Sequence, residues 1–186
     1  MLHTLAGNPL WYLTRATGVV ALVALTLSVA LGVATLGRVP ASLPRFVTQG
    51  VHRAIALTAV GALLVHVATV VLDGYVPIGW WAVVVPFVSG YHPFWVGLGA
   101  AASDLVLLAV ATSLLRRRMR YRTWRVVHLA TYPAWLLALL HYVGVGTDAR
   151  GHGGLLLVAA GVVVVLVAVV VRLVLLARAS VREARA

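Results

Sequence analysis

Residues 50–72, GVHRAIALTAVGALLVHVATVVL, form an unbroken apolar stretch with His52 near its start and His66 near its end. At about 1.5 Å of rise per residue, a helix of this length crosses the roughly 30 Å hydrocarbon core of a bilayer. A second stretch, residues 124–143, WRVVHLATYPAWLLALLHYV, repeats the arrangement with His128 and His141. The spacings are fourteen and thirteen residues, in a chain of 186 residues with only 7 His. Ionisable groups inside membrane spans are costly and serve function by default. Four of them in two matched pairs point to a shared task.

Composition extends the membrane reading to the whole chain. Hydrophobic residues make up 62%, charged residues 10%, and mean hydropathy is +1.03. A soluble domain of this length has too little interior to bury so much apolar surface. The expected fold is an all-α integral membrane protein, a bundle of about five transmembrane helices plus a short interfacial segment, with 1–186 as a single domain. The spans are expected at about Leu10–Leu36, Gln49–Leu72, Phe94–Leu115, Trp124–Val143 and Leu155–Ala177. The first is too long and lacks the basic lead-in of a cleavable signal, so it is expected to be retained. Pro40 and Pro44 break the loop 37–48, Asp73-Gly74 closes the second span, residues 144–154 form a loop, and Arg178–Ala186 is a basic tail. Residues 75–93 hold Trp80, Trp81, Tyr91 and His92 among Pro77, Pro86 and Pro93. That is too broken for a span and suits a lid or short helix at the lipid interface.

The net charge of +11 does not indicate nucleic acid, because the arginines flank apolar spans instead of lining a soluble face. With five spans, Arg38, Arg45, Arg53, the five arginines of residues 116–122, Arg125, Arg172, Arg178, Arg182 and Arg185 fall on one side. The other side holds Arg15 and Arg150 with Asp73 and Asp148. The positive-inside rule then places the N-terminus outside and the C-terminus inside, and the second and fourth spans both run outward.

That common direction puts His52 level with His128 near the cytoplasmic face, and His66 level with His141 near the outer face. The two levels lie roughly 20 Å apart. Fourteen residues return a helix to within about 40° of its starting face, which suits His52 and His66, with the small Ala56 and Ala59 along the same stripe. Thirteen leave His128 and His141 out of phase unless Pro133 kinks or re-phases the span. The absence of Cys excludes disulfides, iron–sulfur clusters, thioether-linked haem and thiolate zinc sites. Met1 and Met119 are the only methionines. Two level pairs that far apart favour two metal centres, read here as haem irons held by the four histidines, over one clustered metal site.

The His-x13-His and His-x12-His pattern on two apolar helices resembles the ferric reductase-like transmembrane domain, which includes ferric reductases, NADPH oxidases and the haem-binding membrane subunit of methionine sulfoxide reductase systems. Trp11-Tyr12-Leu13-Thr14-Arg15-Ala16-Thr17-Gly18, and Gly146-Thr147-Asp148 after His141, are similar to small actinobacterial members. The resemblance implies two haem b groups, with His52 and His128 on the inner iron and His66 and His141 on the outer. It implies a bacterial plasma membrane, with a cytosolic flavoprotein reductase or a quinol as donor and a quinone or flavin accommodated at the cytoplasmic side. The acceptor outside would be ferric iron, oxygen or a redox protein. Oxidases and ferric reductases of this group usually carry a C-terminal flavin and NADPH module; this chain is expected to lack one and to act as the membrane subunit of an oxidoreductase system.

Other residues admit two readings each. Arg53 and Arg125 beside the inner ligands, and Arg15 at the outer level, are either partners of haem propionates or interfacial anchors. Trp135, between His128 and His141, either bridges the two centres or fills the core. Asp104 in the third span belongs to a proton or quinone site or bonds a neighbouring helix. His3, His92 and His152 read as loop residues on the outer side. Gly144-x-Gly146-x-x-Ala149 matches a dinucleotide fingerprint only in letters, since it follows a span and not a strand. The competing function is a non-redox haem- or metal-binding membrane protein, a transporter or structural subunit, although no internal repeat supports alternating access.

Overall fold

The computed structural model describes residues 9–35, 44–73, 76 and 78–184. Its long helices are α1 (Pro9–Thr35), α2 (Arg45–Leu72), α4 (Pro93–Leu114) and α7 (His152–Ala184). The fourth span consists of α5 (Tyr121–Leu129) and α6 (Thr131–Val145), and α3 (Trp81–Val84) is one short turn between α2 and α4. Five segments are long and apolar enough to cross a membrane, and no strand occurs among the described residues. The protein is a multi-pass membrane protein embedded in the lipid bilayer.

The packing follows bilayer chemistry. Side chains pointing outward are large and apolar, such as Leu156, Leu166, Val170 and Leu173 on α7. The helix contacts are built from small residues, with Ala24, Ala100, Ala102, Ala109 and Ala134 buried. In lipid the helices gain little from hiding leucine, so close backbone approach through Ala and Gly does the packing. Buried hydroxyls return their protons to their own helix, as Thr26 Oγ1 does to Leu22 O at 2.8 Å and Thr112 Oγ1 to Leu108 O at 2.8 Å.

The bundle has two principal pairs, α1 with α2 and α4 with α6, and α7 lies against α1. Backbones of α2 and α6 are not closely packed on each other, so a gap separates the two histidine-bearing helices.

Several boundaries differ from expectation for local reasons. Pro44 sits at the N-cap of α2, where its missing N–H costs nothing, so the helix begins at Arg45. At the other end Asp73 N–H closes on Thr69 O. Helix α7 takes in His152 and continues through the basic tail to Ala184. The fourth span breaks at Ala130, whose N–H bonds Val127 O at 3.0 Å, a tighter turn than the α-helical one. Pro133 lies three residues on and has no N–H to offer Leu129, which accounts for the change of phase. Trp80 and Trp81 are 65% and 79% exposed, as an interfacial segment requires. Phe87 there takes a φ of +70°, with its backbone N so near α4 that a Cβ on Gly97 would stand 2.6 Å from it. His92 caps α4 with a φ of +39°. His3, Arg38, Pro40, Gly74, Tyr75, Pro77 and Arg185 lie outside the described residues.

Candidate functional site

The four histidines of α2 and of α5 and α6 meet in level pairs across the gap. The ring centroids of His52 and His128 are 6.2 Å apart, and those of His66 and His141 are 6.4 Å apart. The planes cross at 71° and 83°. Two imidazoles sharing one metal, each nitrogen at about 2 Å and each centroid about 1.2 Å behind it, stand about 6.3 Å apart. Both pairs have that separation. Among the described residues no three metal-ligating side chains cluster.

What holds each ring explains its orientation. His66 Nδ1 lies 2.8 Å from Thr14 O on α1, and His141 Nδ1 lies 2.8 Å from Trp95 O on α4. A carbonyl only accepts, so Nδ1 carries the proton and Nε2 is left as the bare nitrogen. One turn beyond each carbonyl is a glycine: a Cβ at Gly18 would stand 2.9 Å from the His66 ring, and one at Gly99 would stand 2.5 Å from His141 Nδ1. His52 has Ser28 Oγ at 3.5 Å from Nδ1 and Gly32 one turn on, where a Cβ would stand 3.8 Å from the ring, an ordinary contact. His128 has Ser113 Oγ at 3.5 Å and no glycine against it.

A cavity of about 360 Å³ surrounds His66 and His141, within the roughly 300–1,000 Å³ typical of ligand pockets. Ala59, Gly99 and Ala100 line it, and Ala56 is half-buried on the same helix. Arg15 borders the cavity, ion-paired to Asp148 and stacked at 4.0 Å over Trp11. Thr14 Oγ1, on the same wall, is buried with no hydrogen-bond partner among the described residues. At the other level Arg53 and Arg125 are exposed. Arg172 reaches from α7 to Val33 O at 3.4 Å, one residue from the glycine that faces His52. In the sequence Arg172 is a topology marker alone, and its inward reach has no signature in residue type.

Trp135 Nε1 donates to Thr26 Oγ1 at 2.9 Å, which fixes the indole between the two levels. Asp104 is half-exposed on α4 and makes no ion pair or side-chain hydrogen bond among the described residues. The glycine that accompanies three of the four histidines was not anticipated. Its signal, Thr14-x3-Gly18, Ser28-x3-Gly32 and Trp95-x3-Gly99, is present in the sequence but means nothing until the facing helix is known.

No curated protein and no solved structure matches the chain. A family model described as "Ferric reductase like transmembrane component" matches residues 17–139. That range includes His52, His66 and His128 and stops two residues before His141. With about two thirds of its length matched, and an all-helical five-span architecture, the chain belongs to the ferric reductase-like transmembrane family.

Proposed function

We propose that this protein carries electrons across the membrane through two haem b groups, as the membrane subunit of an oxidoreductase system with a separate donor. The observation that carries the reading is the pair of imidazole separations, 6.2 and 6.4 Å, each the span of one shared metal. A haem held by two of these imidazoles would supply one-electron exchange at its iron.

The residues fit such a group. Nδ1–H bonds to Thr14 O and Trp95 O orient Nε2 of His66 and His141 and raise their basicity as ligands. The cavity of about 360 Å³ beside His66 and His141 is mainly apolar, with Ala59, Gly99 and Ala100 among its lining residues, and suits a flat apolar ligand. Arg15 and the unpartnered Thr14 hydroxyl suit the carboxylates of a propionate pair at the outer level. At the inner level Arg172, Arg53 and Arg125 are the cations available.

The basic end faces the cytoplasm of a bacterial plasma membrane, with the N-terminus outside. There the donor is a flavoprotein reductase or a quinol, and a flavin or quinone is accommodated at that side. At the other face the acceptor is ferric iron, oxygen or a redox protein. Purified protein should hold about two haems b per chain, released by acid solvent because no Cys is present to bond them covalently. Pyridine haemochrome quantitation near zero or near one per chain would overturn the two-centre reading.

A further inference from the structure

His128 departs from the plan of its three counterparts. They rest on a glycine of a neighbouring helix, whereas His128 is covered by its own helix, where Trp124 lies one turn earlier on the same face. The Trp124 and His128 rings stack at 5.0 Å with planes 19° apart. Arg116 Cζ sits 4.4 Å from the centroid of the same indole. Ser113 ties the cluster together: its hydroxyl donates to Ala109 O at 2.7 Å and accepts from Trp124 Nε1 at 3.3 Å. With its own proton committed, the Ser113 oxygen offers His128 Nδ1 a lone pair, which selects the tautomer with a bare Nε2.

Resting on the function proposed above, we infer that Trp124, Ser113 and Arg116 are positioning residues that set the ring of His128 and, through the Arg116 charge stacked on the indole, the reduction potential of the inner centre alone. At the outer level the equivalent contacts are backbone carbonyls, Thr14 O and Trp95 O, which substituting Thr14 or Trp95 itself does not delete. His128 is thus held by side chains, whereas His66 and His141 are held by main chain. Arg116 is exposed, and its positive charge on the indole that stacks on His128 favours the reduced form, an effect that the surroundings screen in part.

The test is redox titration and low-temperature EPR of the haem-loaded, full-length protein carrying R116Q, R116K, S113A, S113T, W124F or W124A. R116Q should lower the midpoint potential of one centre, the one that His128→Ala removes, and R116K should leave it near the wild-type value. S113A and W124A should alter the low-spin EPR signal of that same centre and weaken its haem retention about 10- to 100-fold. S113T, which keeps the hydroxyl, should restore both, and W124F, which keeps the stack but not Nε1, should fall between. The inference is overturned if R116Q and S113A leave both centres unchanged, or if both centres move together. Wild-type protein that binds no haem would instead remove the proposed function on which it rests.

Discussion

An imidazole presents two nitrogens, and the bond made by one decides what the other can do. At His66 and His141 a carbonyl occupies Nδ1, so both Nε2 atoms are free for one metal between them. Partners at equal depth should therefore behave alike under substitution. His52→Ala and His128→Ala should each remove one and the same low-spin signal, and His66→Ala and His141→Ala the other. Loss grouping by helix, with His52 like His66, would refute the ligand assignment. The crossed planes, 71° and 83°, predict a strongly axial ferric EPR signal with one large g value at both centres; a rhombic spectrum would mean the rings do not share a metal as placed. At this scale the level pairing of the four histidines is legible in the sequence, and what supports each ring is not. A histidine in an apolar span stands out by its chemistry, while a carbonyl such as Trp95 O is carried by every residue alike.

Helices α1 and α4 carry no histidine ligand in this scheme, yet they hold the rings that do. The Gly18 and Gly99 positions let an imidazole lie against a helix backbone and reach the carbonyl one turn earlier. Gly99→Ala places a Cβ 2.5 Å from His141 Nδ1, and the ring must leave its 2.8 Å bond to Trp95 O. Crowding of this kind costs about 1–3 kcal/mol, and loss of the outer support should weaken outer haem retention about 10- to 100-fold. Gly61→Ala, which meets nothing within 4 Å, is the matched control and should leave both haems in place. Equal haem content in the two variants, measured by haemochrome, would show that the close approach at Gly99 has no bearing on the site. The spans themselves are legible from hydropathy because lipid demands long apolar helices. The division of the fourth span is half legible: Pro133 announces a disturbance, but only the structure places it at Ala130.

For the whole molecule, charge asymmetry is the basis of the sidedness proposed for the two histidine levels. One end displays Arg53, Arg116, Arg117, Arg118, Arg120, Arg122 and Arg125. At the other, Arg15 is neutralised by Asp148, and Arg150 and Asp73 are the remaining charges among the described residues. An excess of arginine on short loops is retained on the cytoplasmic side during insertion. In the orientation proposed above, His52 and His128 face the cell interior and His66 and His141 the exterior, with roughly 20 Å between levels. The absence of Cys permits a clean test, since any thiol is one introduced deliberately. Arg150→Cys lies in the exposed turn before α7, and Arg117→Cys in the exposed turn after α4. In intact cells an impermeant maleimide should label Arg150→Cys, and Arg117→Cys should react only after permeabilisation. The reverse pattern would invert the molecule, exchange the inner and outer centres, and move the donor to the outside. Either change leaves one retained arginine-rich end, so neither should itself flip the topology. On the proposed function, electrons supplied at the basic face pass both levels. A variant that has lost one haem but still reduces an external acceptor at the wild-type rate would refute transmembrane conduction, even with all four histidines correctly assigned.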